Sequence, residues 1–285
     1  MSQSESMPND TPPAEEAVAD KIAPEQSPLF ASTLARGLEV MMAFRAGNPS
    51  MNLPEIAAAT GITKSAAQRF AFTLETLGYL RKDPQSKRYQ LTPRALSLGF
   101  GYLQTNSLID RASPYLHQLN RECHESCNLS EPDGDQMVFV ARFPSHNQVM
   151  IPMPLGLSLP MYCTASGRAY LSRLDPKACA ELLNAMPRPS HTHATVTDID
   201  ALLKKIAQAR EEGYSSIEGE YFLGDISLAA PIVDAGGMPL GAINISVPAS
   251  RWSFEDARKA FAPALIHTAH AISSAGWSQR SGGFR

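Results

Sequence analysis

The sequence predicts an α+β protein, in which a small helical domain precedes a larger domain built on a mostly antiparallel sheet. With 285 residues, of which 44% are hydrophobic, the chain is long enough for two globular domains. Between residues 32 and 80, apolar residues recur at three- and four-residue steps, which is the helical period. After residue 128, short apolar segments joined by turns such as Asp133-Gly134 alternate with helical segments, which favours hairpins flanked by helices.

Residues 1–28 are predicted to form a disordered tail, because prolines and acidic residues dominate them and apolar residues are few. They lack the basic and apolar regions of a signal peptide. No segment approaches the roughly 18 apolar residues that cross a bilayer. Four cysteines do not make a disulfide scaffold in a chain of this length. We therefore expect a cytoplasmic protein with no membrane partner.

The first two helices of the N-terminal domain are predicted from an apolar stripe and from a cap. The segment LARGLEVMMAF places four apolar residues on one helical stripe, namely Leu34, Leu38, Met41 and Met42. Asn52 and Glu55 have capping-box spacing and start a short helix that runs through Thr60. Gly61 ends that helix and permits a tight turn.

The third helix begins after this turn, and its two sides differ in chemistry. Thr63 is placed to cap it, and the helical pattern continues toward Leu80. Its apolar side carries Ile62, Ala66, Phe70, Leu74 and Leu77. Its polar side carries Thr63, Lys64, Ser65, Gln68 and Arg69. A helix, a short helix, a three-residue turn and a longer helix form the order of a helix-turn-helix.

A small basic hairpin is predicted directly after the third helix. The segment GYLRKDPQSKRYQLT reads as a strand, a turn at Asp83-Pro84 and a second strand from Arg88 to Leu91. Its two arms carry the cations Arg81, Lys82, Lys87 and Arg88. Residues 31–95 hold nine Lys and Arg against four acidic residues, although the whole chain has a net charge of −3. A basic hairpin in this position is the wing of a winged helix-turn-helix.

The basic segment and the third helix together favour binding of double-stranded DNA. A recognition helix reads base edges in the major groove with its N-terminal residues, and Ser, Thr, Gln, Lys and Arg are the types that contact bases and phosphates. Gln68 can make a bidentate contact with adenine, whereas Arg69 suits phosphate or guanine. The wing cations would contact the backbone or the minor groove. The alternative is a solvated polar face on a small helical domain, and the wing and the preceding short helix argue against it.

Between the domains, Thr92 and Pro93 are predicted to cap a linker helix that ends near Asn106. Pro114 is expected to interrupt the chain before a helix over residues 115–125. In the second domain we predict strands at 128–131, 137–142, 148–153, 214–218, 226–233 and 240–247. We predict helices at 165–174, 176–185, 198–212 and 254–274. The last hairpin should turn between Asp234 and Pro239.

Polar residues on otherwise apolar strands indicate a ligand site in the second domain. In GAINISV, Asn244 and Ser246 share one face of a strand, and in ISLAAPIV, Ser227 interrupts an apolar run. In YCTASGRAYL, the backbone amides of Ala165 and Ser166 begin a helix and suit a carboxylate. These groups together suit a small anionic metabolite. Ordinary hydrogen bonding within the sheet is the alternative.

Neither a catalytic site nor a metal site is predicted, and no cofactor is expected. Nothing in the sequence pairs Cys163 with His191 or His193 as a nucleophile and base, and Ser166-Gly lacks the first glycine of a nucleophile elbow. Cys123 and Cys127, with histidines nearby, have no second pair of ligands, so core or surface thiols are the preferred interpretation.

The segments quoted above, together with THATVTD and EEGYSSIEGEYFLGDISLAAPIVDAGGMPLGAINISVPASRWS, resemble the IclR family of bacterial transcriptional regulators from Ser32 to Trp277. The resemblance implies a winged helix-turn-helix domain at 30–92, a linker helix at 93–110, a GAF-like α/β effector-binding domain at 111–277 and a flexible C-terminus at 278–285. By position, the family's effector-contacting residues correspond to Ile151, Met161, Ala165, Ser166, Ser227, Asn244 and Ser246.

Two positions depart from the family pattern. Ile217, followed by Glu218, stands where members that respond to ketoacids place an acidic residue, which argues against a ketoacid. Phe72 stands where a polar or basic residue is common on the recognition helix; we expect it to pack against the wing, and contact with a thymine methyl group is the alternative.

The resemblance implies a regulator that binds palindromic promoter DNA as a homodimer or tetramer and responds to a small organic acid. The segment MYCTASGR is similar to the subgroup that regulates aromatic-acid catabolism, which favours an aromatic acid. The alternatives are a regulator that responds to a ketoacid or sugar acid, and a module for DNA binding or dimerisation that needs no ligand.

Overall fold

A computed structural model describes residues 26–145, 147 and 153–281. The predicted tail therefore lies almost entirely outside the described residues, as do Ile151 and all but the last residue of the strand predicted at 148–153. The chain forms two compact units, and the boundary between them falls between Ser97 and Leu98. None of the described helices is long and apolar enough to cross a membrane.

The first unit is a winged helix-turn-helix, as the sequence predicts. It contains helices α1 (Ser32–Met42), α2 (Leu53–Thr60) and α3 (Lys64–Thr76). Strands β1 (Leu80–Lys82) and β2 (Tyr89–Leu91) pair in antiparallel fashion to form the wing. A short 3₁₀ helix, Pro93–Ala95, follows and is capped by Thr92.

The local signals that start and stop α2 and α3 act as predicted. Asn52 and Glu55 form a complete capping box, in which each side chain bonds the other's backbone N–H. Gly61 closes α2 in the left-handed region at φ 65°, where a side chain is disfavoured. The Thr63 hydroxyl accepts a hydrogen bond from the Ala66 N–H at 3.2 Å and caps α3.

The apolar stripes assigned to α1 and α3 are partly wrong. On α1, Val40 is fully buried, whereas Leu34, Leu38 and Met42 are 65%, 45% and 70% exposed. On α3, the buried face consists of Ala67, Ala71 and Leu74, and Leu77 is exposed. The core of this unit is small. The alanines of α3 therefore pack against the other helices, and several larger apolar residues remain on the surface.

Helix α4 (Leu96–Thr105) crosses the boundary, and the second unit continues with α5 (Ser107–Cys123) and a six-stranded sheet in the order β5-β4-β3-β8-β7-β6. All neighbouring strands in it are antiparallel. The strands are β3 (Ser126–Asp133), β4 (Gln136–Phe143), β5 (Ser158–Pro160), β6 (Ser215–Glu218), β7 (Asp225–Val233) and β8 (Pro239–Pro248). The remaining helices are α6 (Ala165–Leu171), α7 (Pro176–Ala185), α8 (Ile199–Glu212) and α9 (Phe254–Ser281).

The sheet lies between two helical layers. On one face, apolar residues of β3, β7 and β8 pack against α5 and α9. On the other face, Ala229 and Ala242 pack against α6, which continues into a core with α7 and α8. Strand β8 contributes to both layers, because its successive side chains point to opposite faces.

Pro114 does not break the chain as expected, because it lies inside α5. The helix continues through it since one face buries Leu108, Ala112, Leu116 and Leu119 against the sheet. Asn106 caps this helix instead, and its side chain accepts hydrogen bonds from the next turn. The strand β5 was not predicted, and α9 extends further than expected.

Candidate functional site

The polar side of α3 faces solvent as predicted from the sequence. Its first turn and the next one expose five side chains, namely Thr63, Lys64, Ser65, Gln68 and Arg69. Phe72 lies on the same helix and is 68% exposed, so the expectation that it packs against neighbours is wrong. An exposed aromatic ring beside polar groups is suited to apolar contact with a thymine methyl group.

Three of the four wing cations are exposed, namely Arg81, Lys82 and Lys87. Asp83 shapes the turn between them by accepting hydrogen bonds from the Ser86 N–H at 2.6 Å and its hydroxyl at 2.7 Å. These bonds to Ser86, with one from Gln85, lower the pKa of Asp83. The turn is therefore held by an ionised carboxylate and keeps the cations on its arms.

Arg88, the fourth wing cation, is engaged within the domain. Its guanidinium donates to both carboxylate oxygens of Glu55, at 3.0 and 2.6 Å, and to the Ser50 carbonyl at 2.6 Å. The hydrogen bond from Arg88 is the main reason that the pKa of Glu55 is lowered, followed by the backbone bond from Asn52. Arg88 thus ties the wing to α2, while its contact with DNA stays a prediction.

The second candidate site is a polar patch on the inner face of the sheet. Asn244 on β8 donates to the hydroxyl oxygens of Ser227 and Ser246, at 3.2 and 3.1 Å. The two serines stand opposite each other in the β7–β8 register, and their oxygens are 3.4 Å apart. The sequence therefore identified three groups that the sheet brings together.

Asn128 on β3 belongs to the same patch and was missed. It stands opposite Asn244 in the β3–β8 register and donates to the Asn244 amide oxygen at 3.4 Å. The signal was present in the sequence, because Asn128 and Ser130 alternate with apolar residues along β3 as Asn244 and Ser246 do along β8.

Helix α6 covers the side of the sheet on which this patch lies. Met161, Ala165 and Ser166, all predicted site residues, are buried there. Gly167 makes the close approach possible, since a Cβ at this position would lie 2.2 Å from the Met161 backbone. Ile151 lies outside the described residues, so its place in the site stays a prediction.

Aromatic side chains line the neighbouring part of this face. Phe139, Met153 and Leu159 form a small cluster with Tyr221 and Phe222. Ile217, at the departure from the family pattern, is buried, whereas Glu218 is exposed. A cluster of aromatic rings next to buried amides and hydroxyls suits a small ring-containing ligand with polar substituents.

The surroundings of Cys163 and His191 do not favour the nucleophile and base considered for catalysis. Burial raises the pKa of the buried Cys163 thiol to about 11, which disfavours the thiolate. The His191 ring instead lies against Tyr221, with ring centroids 4.5 Å apart. Among the described residues, no group of three or more His, Cys, Asp or Glu side chains is arranged to hold a metal ion.

Comparison with known proteins gives matches over both units. Residues 33–84 match the model of the IclR helix-turn-helix domain, and residues 100–274 match that of the bacterial transcriptional regulator IclR C-terminal domain. The chain is 32% identical over 240 residues to the Pca regulon regulatory protein of Pseudomonas putida, covering 84% of this chain and 82% of that protein. It is 30% identical over 247 residues to the Pca operon regulatory protein of Acinetobacter baylyi, covering 85% and 88%.

The fold is also that of solved structures. One is an IclR homologue from Microbacterium hydrocarbonoxydans complexed with 4-hydroxybenzoate, with a TM-score of 0.71. That chain is 22% identical, and the match covers 86% of this chain and 98% of that one. At this identity the likeness establishes the shared fold.

Proposed function

The chain belongs to the IclR family of bacterial transcriptional regulators, and from this premise we propose that an aromatic acid, bound in its C-terminal domain, controls its binding to promoter DNA. The family accounts for a DNA-binding domain joined to an effector-binding domain. The aromatic nature of the effector rests on the site itself. Members of this family are regulators and not enzymes, and we propose no catalytic activity for this chain.

The observation that carries the effector proposal is the hydrogen-bonded patch of Ser227, Asn244 and Ser246, two of which are more than nine-tenths buried beside an aromatic cluster. Buried amides and hydroxyls are usually satisfied, and those in a ligand site are partly satisfied by the ligand. The relatives named as Pca regulators support an aromatic acid, as does the shared fold of the IclR homologue solved in complex with 4-hydroxybenzoate.

On the DNA side, we propose that Thr63, Lys64, Ser65, Gln68 and Arg69 face the major groove and that Arg81, Lys82 and Lys87 face the backbone or the minor groove. All these side chains are exposed, and the N-terminus of α3 is capped by the Thr63 side chain. Because this readout takes place on the chromosome of a bacterium, we place the protein in the cytoplasm.

A further part of the proposal is assembly as a homodimer or tetramer on a palindromic site. Two exposed apolar surfaces support this assembly. One lies on α1, and the other lies along α4, where Leu98 and Phe100 are exposed. Exposed apolar stripes on helices are typical of protein interfaces. An effector acts on such an assembly through its different affinity for the two states of the DNA-binding heads.

The experiment that tests the function measures DNA binding and effector binding in the same set of variants. Arg69→Ala should weaken binding to a duplex selected by the wild-type protein by about 10- to 100-fold, because a contact to a base or phosphate is lost. It should leave the thermal shift with 4-hydroxybenzoate unchanged. Lys204→Ala removes an exposed cation from the other unit and should alter neither measurement.

Ser227→Ala should give the opposite result. The thermal shift with an aromatic acid should become smaller. Ligand binding to the native state raises the melting temperature, and a weaker affinity gives a smaller increase. Affinity for free DNA should stay the same. Ser273→Ala, which removes a buried hydroxyl of α9 that accepts a hydrogen bond from the Val233 N–H, is the matched control for effector binding.

A thermal shift with ketoacids or sugar acids, and none with aromatic acids, would mean that the effector belongs to one of those classes. The protein would still be a ligand-controlled regulator. DNA binding without a shift from any acid would leave a ligand-independent DNA-binding module. If Arg69→Ala and Ser227→Ala lose both functions equally, the assignment of the two sites is wrong.

A further inference from the structure

Arg142 stands on the same face of the sheet as the polar patch. It pairs with Asn128 in the β3–β4 register, and Asn128 in turn pairs with Asn244. Directly opposed residues of an antiparallel sheet point to the same face. Arg142, Asn128 and Asn244 therefore form one row across three strands, and Ser227 and Ser246 lie one step further along.

A β-bulge explains how Arg142 comes to face this side. The β3–β4 register shifts between Leu129 and Ser130, so that Val140 is an extra residue on β4. Val140 and Ala141 both pack into the core with α5 and α9, whereas Phe139 belongs to the aromatic cluster. The bulge thus places a guanidinium and an aromatic ring on the ligand side of a single strand.

The charge of Arg142 is not balanced within the described part of the chain. Its guanidinium donates to the Met153 carbonyl, and none of the ion pairs among the described residues includes Arg142. Burial lowers the pKa of Arg142, because the charged guanidinium is partly removed from water and no neighbouring carboxylate of a described residue offsets this. A partly buried arginine in this state is suited to receive an anion from outside the chain.

Asn128 has an unmet hydrogen-bonding position beside it. The residue is 1% exposed, and its amide oxygen, fully buried, has no partner among the described residues. If the amide is turned over, the unmet atom is the nitrogen instead, so one polar position is open in either orientation. An unmet buried polar atom is unfavourable because it has lost its hydrogen bond to water, and a ligand group that reaches it removes this cost.

We propose that Arg142 binds the carboxylate of the effector and that Asn128 and Asn244 bind a hydroxyl substituent further along the row. The proposal rests on the proposed function and narrows it, because it defines the ligand as a hydroxylated aromatic monocarboxylate. The ring lies against the side of the aromatic cluster. This places the acid group at the β4 side of the sheet, away from the backbone amides of Ala165 and Ser166.

The test compares acids with their amides in the full-length protein at pH 7.5. Isothermal titration measures the affinity of 4-hydroxybenzoate, 3,4-dihydroxybenzoate and 4-hydroxybenzamide for the wild type, Arg142→Met, Arg142→Lys and Arg121→Met. The wild type should bind the acid at least about 10-fold more tightly than the amide, as expected for a charge-assisted hydrogen bond. In Arg142→Met that preference should disappear, through loss of acid affinity and with amide affinity unchanged.

Arg121→Met removes an exposed arginine from α5 and should behave as the wild type. If Arg142→Met does not fold, Arg142→Lys decides. Lysine keeps the charge but lacks the planar fork, so the acid should bind several-fold more weakly and the amide equally well. Equal acid affinity in Arg142→Lys and the wild type would overturn the proposal.

Two other outcomes also overturn the role of Arg142. The first leaves the proposed effector function intact, and the second does not. If Arg142→Met keeps the acid-to-amide ratio, or loses both ligands equally while folded, Arg142 only positions the Met153 segment and the effector proposal stands. If the wild type binds none of these compounds, nor benzoate, lactate or pyruvate, the organic-acid function falls together with the role of Arg142.

Discussion

At the scale of single residues, Asp225 is a carboxyl group in an unfavourable environment. It begins β7, two residues before Ser227, and burial raises its pKa from the usual value near 3.8 to about 7. Between these two values the folded state holds a proton that the unfolded state has released. Stability from this group therefore falls as the pH rises from about 4 to 7, which is the reverse of an ordinary ion-paired carboxylate.

We predict that Asp225→Asn stabilises the protein at pH 8 and has little effect at pH 5. A shift of this size corresponds to about 4 kcal/mol at most, and the partial exposure of the residue reduces the expected gain to roughly 1–3 kcal/mol. Urea unfolding at the two pH values measures the difference. Asp200→Asn, an exposed change on α8, should leave the pH dependence as in the wild type. A gain that is equal at both pH values would show that protonation of Asp225 is not its cause.

At the scale of elements, α6 is a seven-residue helix that is held in place by a buried ion pair. Arg168 is 1% exposed, and its guanidinium donates to Glu220 at 2.7 Å and to the Tyr162 carbonyl at 2.8 Å. Glu220 also accepts from the Val196 N–H at 3.2 Å. The pair thus connects α6 to the two later loops that carry Val196 and Glu220. A helix this short is not stable through its own hydrogen bonds, so these contacts hold it in position.

We predict that Arg168→Met lowers the free energy of unfolding by about 3–5 kcal/mol, because it leaves the Glu220 carboxylate buried and unpaired. Adding Glu220→Gln should recover part of this loss, since the amide is neutral and still accepts from Val196. Denaturant unfolding of the two single variants and the double variant gives the coupling between the two side chains. Strictly additive losses would mean that the two groups do not compensate each other.

The elements themselves differ in how well the sequence predicts them. The bounds of α2 and α3 follow from caps and a glycine, which act within a few residues and are therefore readable. Pro114 was misread because packing of the α5 face outweighs a local signal. Arg142 and Asn128 were missed as partners, since their meeting depends on strand pairing and on a bulge that no local pattern reveals. The polar face of β8 was readable because alternation is itself local.

At the scale of the whole molecule, the exposed apolar residues of α1 imply a partner surface. Leu34, Leu38 and Met42 follow one another at four-residue steps and are each at least 45% exposed, so they form a stripe along one side of the helix. A stripe of this kind is costly in water unless another surface covers it. A second copy of the chain fits the two-fold symmetry that a palindromic DNA site requires.

We predict that Leu34→Glu combined with Leu38→Glu converts the proposed homodimer or tetramer to monomers and weakens binding to a two-half-site duplex by at least about 100-fold. When two DNA-binding domains are linked, binding of one to its half-site raises the effective concentration of the other at the second half-site. Separate monomers lose this effect. Sedimentation velocity and DNA titration measure the two effects. Leu223→Glu alters a leucine of comparable exposure in the other unit and should change neither. A variant that stays dimeric would place the interface elsewhere.

The two faces of β8 bear on how a regulator of this kind diversifies. Ile243, Ile245 and Val247 belong to the core with α5 and α9, while Asn244 and Ser246 between them belong to the ligand side. If this side binds the effector as proposed, a substitution at one of the intervening positions changes the affinity for ligand without changing the apolar side chains that pack on the opposite face. Under the proposed function, ligand specificity and core packing can therefore vary independently at alternate residues of one strand.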